Sequence, residues 1–247
     1  MYIKTKRGFT LAEMLLSIVI IGVIAAITIP ALKDSSDKSA NIASMKKAYS
    51  VATNAFAQIE AELGPPIYWK FATTNEESET VNERVFSTKG QDKGIAFLLK
   101  KQIISNGNTI PEEYSIKTLS GDEFSTGSAI DTATININGE GSLAFQSTDG
   151  MYWFPSAAIN GCSFTKKDDK DKEKTIYLCG LILVDINGSK KPNRFGVDVF
   201  AFDITPDGVI AHGGETDECS DIDSDTGYTC SSKILMKGEK ALDFIYE

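Results

Sequence analysis

Histidine is nearly missing from this chain: His212 is the single one among 247 residues. It stands beside Gly213 and Gly214, with no signature of a nucleophile and its base, and reads as a turn residue. Phosphate-cradling glycine loops are also missing, so the sequence supports no catalytic reading. No Cys-x-x-Cys pair occurs, and one histidine cannot complete the usual structural zinc sets. Basic residues are in deficit, 25 Lys and Arg against 34 Asp and Glu, for a formal net charge of −9. That balance argues against general nucleic-acid binding, which needs clustered cations to neutralise phosphates. No internal repeat is visible.

What is present begins at the N-terminus. Lys4, Lys6 and Arg7 form a basic tip, Gly8 follows, and Phe9 to Ile29 is a 21-residue segment that is apolar almost throughout. An ordinary secretory signal has an apolar core of only ~7–15 residues and ends in a small-residue cleavage site, which is not found here. About 20 apolar residues suit a membrane-spanning helix. A plain anchor, however, leaves Glu13 unexplained, since a charge at the centre of such a span costs roughly 2.5–3.5 kcal/mol on insertion scales.

The run Lys6-Arg7-Gly8-Phe9-Thr10-Leu11-Ala12-Glu13-Met14 closely resembles the N-terminus of type IV pilins and type II secretion pseudopilins. Glycine, the residues after it, the glutamate and the apolar run all occur in register. Ala12 departs from the commoner larger aliphatic residue. The resemblance implies cleavage after Gly8 by a prepilin peptidase and methylation of the new N-terminal Phe9. It implies that Glu13 neutralises the free amine of a neighbouring subunit. The implied partners are other pilin or pseudopilin subunits, the inner-membrane assembly platform and the membrane itself. Loss of residues 1–8 would take three basic residues, leaving 22 against 34 acidic, near −12. The positive-inside rule puts Lys4, Lys6 and Arg7 in the cytoplasm and the remainder outside.

Beyond Ile29 the helical pattern continues. Ile42, Met45, Tyr49, Ala52, Phe56, Ile59 and Leu63 recur at intervals of 3, 4, 3, 4, 3 and 4. This one-face stripe ends at Gly64-Pro65-Pro66, where proline lacks a donor and disfavours helix before it. The spacing predicts one helix from about Thr10 to Leu63, ~80 Å long at 1.5 Å per residue. The same stripe suits a coiled coil, but it lasts about three heptads and a sheet-forming region follows, which favours packing on the chain's own sheet. Gly22 and Pro30 fall inside the helix, and a proline there removes a hydrogen bond and kinks it. In the resembled family, residues at these offsets border a segment that can lose helicity in the filament.

After Ile67 the pattern changes. A short helix is expected near 94–101, then β-rich runs at 134–137, 142–145, 151–154, 176–184, 197–204 and 209–211, joined by turn residues. Close spacing without intervening helices predicts an antiparallel sheet. The fold class is α+β and pilin-like: a long N-terminal helix, membrane-spanning in its first half, packed on a C-terminal antiparallel sheet. Four segments are expected: a leader at 1–8, a membrane and assembly half-helix at 9–30, an amphipathic half at 31–64 and a β-rich head at 65–247.

In an exported chain the four cysteines, Cys162, Cys179, Cys219 and Cys230, read as disulfides. Three pairings are open. The sequential one, Cys162–Cys179 and Cys219–Cys230, is favoured because each pair brackets a polar loop; the first loop holds the charged run 166–174, read as a solvated hairpin tip. Asp185, Asn187 and Asp198 form a candidate calcium set, a cation that wants six to eight oxygens, although Asp-x-Asn-Gly is also an ordinary turn and that reading is preferred. Asp221, Asp223 and Asp225 start like an EF-hand, but glycine stands at 227 and Ser232 holds the twelfth position. No cofactor is required.

The expected function is structural, a filament subunit of a type IV pilus or type II secretion pseudopilus. A minor tip subunit whose head binds a surface, cargo or DNA is the alternative, with the acidic balance weighing against DNA.

Overall fold

The computed structural model describes residues 8–66, 70–72, 85–87, 99, 102–108, 110–124, 129–130, 133–134, 144–155, 162–167, 172–213 and 227–238. The chain divides into two compact units, one up to Ala40 and one from Asn41 onward. Helix α1, Leu11–Leu63, runs for 53 residues.

In the first unit α1 carries the apolar stretch Leu11–Pro30, none of which is buried by the chain. Leu16, Ile18, Ile21, Ile27 and Ile29 are all largely exposed. A helix is the conformation such a segment needs, because it pairs each backbone polar group within itself. The hydroxyls follow the same rule: Ser17 Oγ donates to Glu13 O at 2.8 Å and Thr28 Oγ1 to Ile24 O at 2.9 Å.

In the second unit α1 becomes one-sided. Ile42, Met45, Ala48, Ala52, Ala55, Phe56 and Ile59 are buried. Tyr49 is half-buried and donates its hydroxyl to Val209 O at 3.0 Å. Ala48 and Ala55 broaden the stripe; their small side chains let the helix approach the sheet closely. Gly64 ends the helix at φ +80°, its N–H reaching Glu60 O at 2.7 Å. Glycine adopts that left-handed conformation without a Cβ penalty.

The sheet under this face has five strands: β1 (Phe145–Gln146), β2 (Tyr152–Pro155), β5 (Gly180–Asp185), β6 (Val199–Thr205) and β7 (Gly208–Ala211). Between β2 and β5 lie β3 (Ser163–Lys167) and β4 (Glu173–Tyr177), an antiparallel hairpin of its own. The spatial order is β7-β6-β5-β2-β1, antiparallel throughout. A long helix followed by an antiparallel sheet is the expected α+β, pilin-like arrangement. Outside that sheet, Lys70–Ala72 pairs in parallel with Val85–Ser87.

Both faces of the sheet are covered. Trp153, Ile182, Val184, Phe200 and Phe202 share one core cluster with the α1 face. Phe154, Leu181, Leu183, Val199 and Ala201 belong to a second cluster with Tyr114, Ile116, Phe124 and Phe195. The register agrees, since Leu183 lies opposite Phe154 and Ala201 while Val184 lies opposite Trp153 and Phe200. Fully burying one such side chain stabilises by about 1.5–3 kcal/mol.

This double burial corrects one sequence expectation. The run 176–184 is two strands, because the chain leaves the hairpin at Tyr177 and enters the sheet at Gly180. Between them Leu178 N bonds Cys162 O at 2.9 Å, Cys179 N bonds Ile204 O at 2.6 Å, and Cys162 is disulfide-bonded to Cys179. An apolar run buried on both sides has no alternation to mark where one strand stops. Helix α2, Cys230–Lys237, was not marked by the sequence. It is held by Ser231 Oγ, which accepts from Ala201 N at 2.8 Å, and by Ser232 N, which donates to His212 O at 3.0 Å. The expected helix near 94–101 and the strand run 134–137 fall almost wholly outside the described residues.

Candidate functional site: the start of helix α1 and the Asp185–Asp198 turn

The signature residues sit where α1 begins. Gly8 and Phe9 precede the first helical turn, and Phe9 is 81% exposed. Thr10 then closes a capping box with Glu13. Thr10 N and Thr10 Oγ1 donate to Glu13 Oε2 at 2.8 and 2.9 Å, and Glu13 N donates to Thr10 Oγ1 at 3.3 Å. A helix start leaves four N–H groups without intrahelical partners, and this reciprocal pair supplies acceptors where they are needed. Gly22 and Pro30 both lie within the unbroken helix. A Cβ added at Gly22 meets nothing within 4 Å, so nothing in this chain demands a glycine there.

The second site lies at one end of β5 and β6. Asp185 and Asp198 are both completely buried. Asp198 Oδ1 accepts from Arg194 N at 2.6 Å, and its Oδ2 accepts from Asn193 N at 3.0 Å and Asn187 Nδ2 at 3.1 Å. Asp185 Oδ1 accepts from Asn187 N at 3.0 Å and its Oδ2 from Tyr114 Oη at 2.5 Å. Burial pushes Asp185 up to about 8, and the neighbouring Asp198 adds to that shift. Asp198 is also raised, again by burial first. Burial raises the Tyr114 hydroxyl far above its ordinary value. Gly188 sits in the turn at φ +68°, and a Cβ there would lie 2.5 Å from Gly150 O.

The structure therefore brings Asp185, Asn187 and Asp198 together with Asn193 and Arg194 of the same sequence block, and adds Tyr114. Tyr114 lies 71 residues before Asp185, and no local signal points to it. All four carboxylate oxygens already accept protein N–H or O–H groups. The oxygens left over are Asn187 Oδ1 and Asn193 Oδ1, both buried without a hydrogen-bond partner. Among the described residues no three acidic, histidine or cysteine side chains converge as a metal would need, and the two carboxylates here are turned to the chain's own donors, so these residues as placed fit a hydrogen-bonded turn better than a six-to-eight-oxygen calcium shell.

His212 follows β7 and is buried, with Nδ1 2.7 Å from Asp203 Oδ1. It is thus a paired interior group and more than a turn residue. Cys230 is also disulfide-bonded. Cys219 and the acidic run Asp217, Glu218, Asp221, Asp223 and Asp225 lie outside the described residues.

Residues 3–29 match the family model described as the prokaryotic N-terminal methylation motif. That motif, borne on an apolar helix, fits a type IV pilin or pseudopilin, a class of structural protein anchored in a membrane. No curated protein and no solved structure matches the chain.

Proposed function

We propose that this protein is a structural subunit of a type IV pilus or type II secretion pseudopilus. It is cut after Gly8 by a prepilin peptidase, methylated on Phe9 and polymerised through α1. It enters the cytoplasmic membrane with its basic tip inside, and its head joins the filament on the outer side. Its partners are other pilin or pseudopilin subunits and the inner-membrane assembly platform.

The observation that carries this reading is Glu13, the one carboxylate in the exposed apolar span 11–30. In a lone subunit Thr10 supplies it with donors. Those neutral hydrogen bonds lessen the cost of the charge without cancelling it. Cleavage after Gly8 frees a cationic amine on Phe9. The Phe9 amine of an adjacent copy then meets Glu13 in a low-dielectric setting, where breaking such a pair costs about 3–5 kcal/mol. A copy arriving out of register leaves both charges unpaired, so the pair selects one axial stagger. Gly22, with open space around it, leaves room for a neighbouring helix.

The test is assembly with Glu13→Val and Glu13→Asp in cells carrying the assembly machinery. Glu13→Val is expected to insert at wild-type level and to be missing from sheared filaments. Equal recovery of wild type and Glu13→Val in that fraction contradicts the reading.

A further inference from the structure

Asp185 and Asp198 are each 0% exposed, and the groups bonded to their carboxylates are neutral N–H and O–H donors. Neither acid has an ion-pair partner among the described residues. Asn187 joins them, its backbone N–H on Asp185 Oδ1 and its side-chain amide on Asp198 Oδ2. Two carboxylates this close, in an interior without a countercharge, do not both ionise at little cost. Three N–H donors favour the charge on Asp198, so the proton of the pair sits on Asp185. Burial raises both acids, Asp185 to about 8. Tyr114, and Tyr152 opposite Asp185 on β2, are the other titratable groups facing it among the described residues. Arg194 supplies its backbone N–H, and Glu112, Glu113, Lys117, Lys190 and Lys191 on the adjoining segments are exposed.

One short segment is tied to both acids. Tyr114 Oη lies 2.5 Å from Asp185 Oδ2, and its ring stacks on Phe154 at 5.5 Å and meets Tyr152 edge-on at 5.2 Å. Asp198 reaches the same segment through Asn193, whose N–H it accepts. Asn193 O in turn accepts from Lys117 N at 2.8 Å, and Asn193 Nδ2 donates to Ser115 O at 3.3 Å. Phe195 N closes the strip by donating to Lys117 O at 2.9 Å. Tyr114 and Ile116 are buried in the second core cluster with Phe154, Leu181 and Leu183. Lifting the segment therefore breaks the contacts of both acids together and lets water reach Asp185.

We propose that residues 111–117 form a flap on the head, which a single proton held by the Asp185–Asp198 pair keeps closed. The flap opens as that proton leaves, uncovering Phe154, Leu181 and Leu183 on the second face of the sheet. Once wet, Asp185 ionises near the ordinary ~3.9. Between that value and about 8 the closed form binds one proton more than the open form. The opening constant therefore rises about tenfold for each pH unit in that range and then levels off. The flap belongs to the head alone and stands apart from the filament reading.

The test is amide hydrogen exchange in the full-length chain in detergent micelles from pH 6 to 9, each rate divided by that of an unstructured amide at the same pH. The N–H groups of Lys117 and Phe195, which close the flap, are expected to lose protection about tenfold per pH unit from 6 to 8 and to change little beyond. They are expected to stay less protected than Met45 to Ile59 of α1. They also respond weakly to low urea, because a flap exposes far less surface than the whole head. Asp185→Asn has no proton to lose and is expected to flatten the slope, while Tyr114→Phe lowers protection at pH 6 and keeps the slope. Constant protection from pH 6 to 8 overturns the flap, as does protection of Lys117 and Phe195 equal to that of α1 at every pH. A wild-type slope in Asp185→Asn overturns it too, and if that variant does not fold, the slope of the wild type decides.

Discussion

Thr10 and Glu13 close on each other at the first turn of α1, each side chain accepting a backbone N–H from the other's residue. The pair gives a lone subunit a finished helix start and a partly satisfied carboxylate in an apolar segment. Replacing Thr10 with Ala removes the cap, worth about 1 kcal/mol in helix stability. Amide exchange measured in detergent micelles is expected to speed up from Leu11 to Met14 and to stay unchanged beyond Ile24.

Asp198 gathers three N–H groups from Asn187, Asn193 and Arg194 into one buried carboxylate. Asp198→Ala leaves those donors without an acceptor, at about 1–3 kcal/mol for each buried orphan. A loss of about 3 kcal/mol or more is expected in urea denaturation. A change under 1 kcal/mol means the turn repacks around the cavity.

The raised carboxyl of Asp185 sets a direction for pH dependence. Folded, it holds its proton to about 8; unfolded, an aspartate releases it near ~3.9. Between those values the folded state binds more protons, so stability falls as pH rises from about 4 to about 8 and then levels off. The direction for Asp198 is the same. Denaturation midpoints measured at pH 5, 6.5 and 8 are expected to decline, and to decline less in Asp185→Asn, which mimics the protonated side chain. A midpoint that climbs over that range in wild type but not in Asp185→Asn contradicts the assignment.

Because protein donors occupy the Asp185 and Asp198 oxygens, chelation has little to remove. Thermal unfolding with excess EDTA and with added calcium is expected to give the same midpoint. A calcium-dependent rise that Asn187→Ala abolishes points to an ion on the orphaned amide oxygens.

Gly188 crosses Gly150 too closely for a side chain, in a left-handed conformation that costs other residues roughly 1–2 kcal/mol. Gly188→Ala is therefore expected to destabilise the head by about 2 kcal/mol or more, while Gly22→Ala, in mid-helix with open space around it, leaves the lone chain no less stable than before.

The long helix was legible because two separate signals mark it, an apolar run and then a 3-4 stripe closed by Gly64-Pro65-Pro66. The stripe understated the buried face, since Ala48 and Ala55 are too small to register as core in a sequence. The sheet strands were legible as apolar runs, but burial on both faces erased the boundary at Leu178–Cys179. The Asp185–Asn187–Asp198 cluster could be seen from its turn residues. Tyr114, which completes it, could not, because only the tertiary fold brings it to Asp185. Helix α2 has eight residues and depends on Ser231 bonding the sheet at Ala201, a contact no local pattern encodes.

Intact mass and N-terminal sequencing of the chain co-expressed with a prepilin peptidase test the filament reading most directly. A mature chain that begins at methylated Phe9, and appears only with the active peptidase, is the predicted result. An uncut chain, or one cut downstream of Ile29, contradicts it and leaves an anchored or secreted protein in its place.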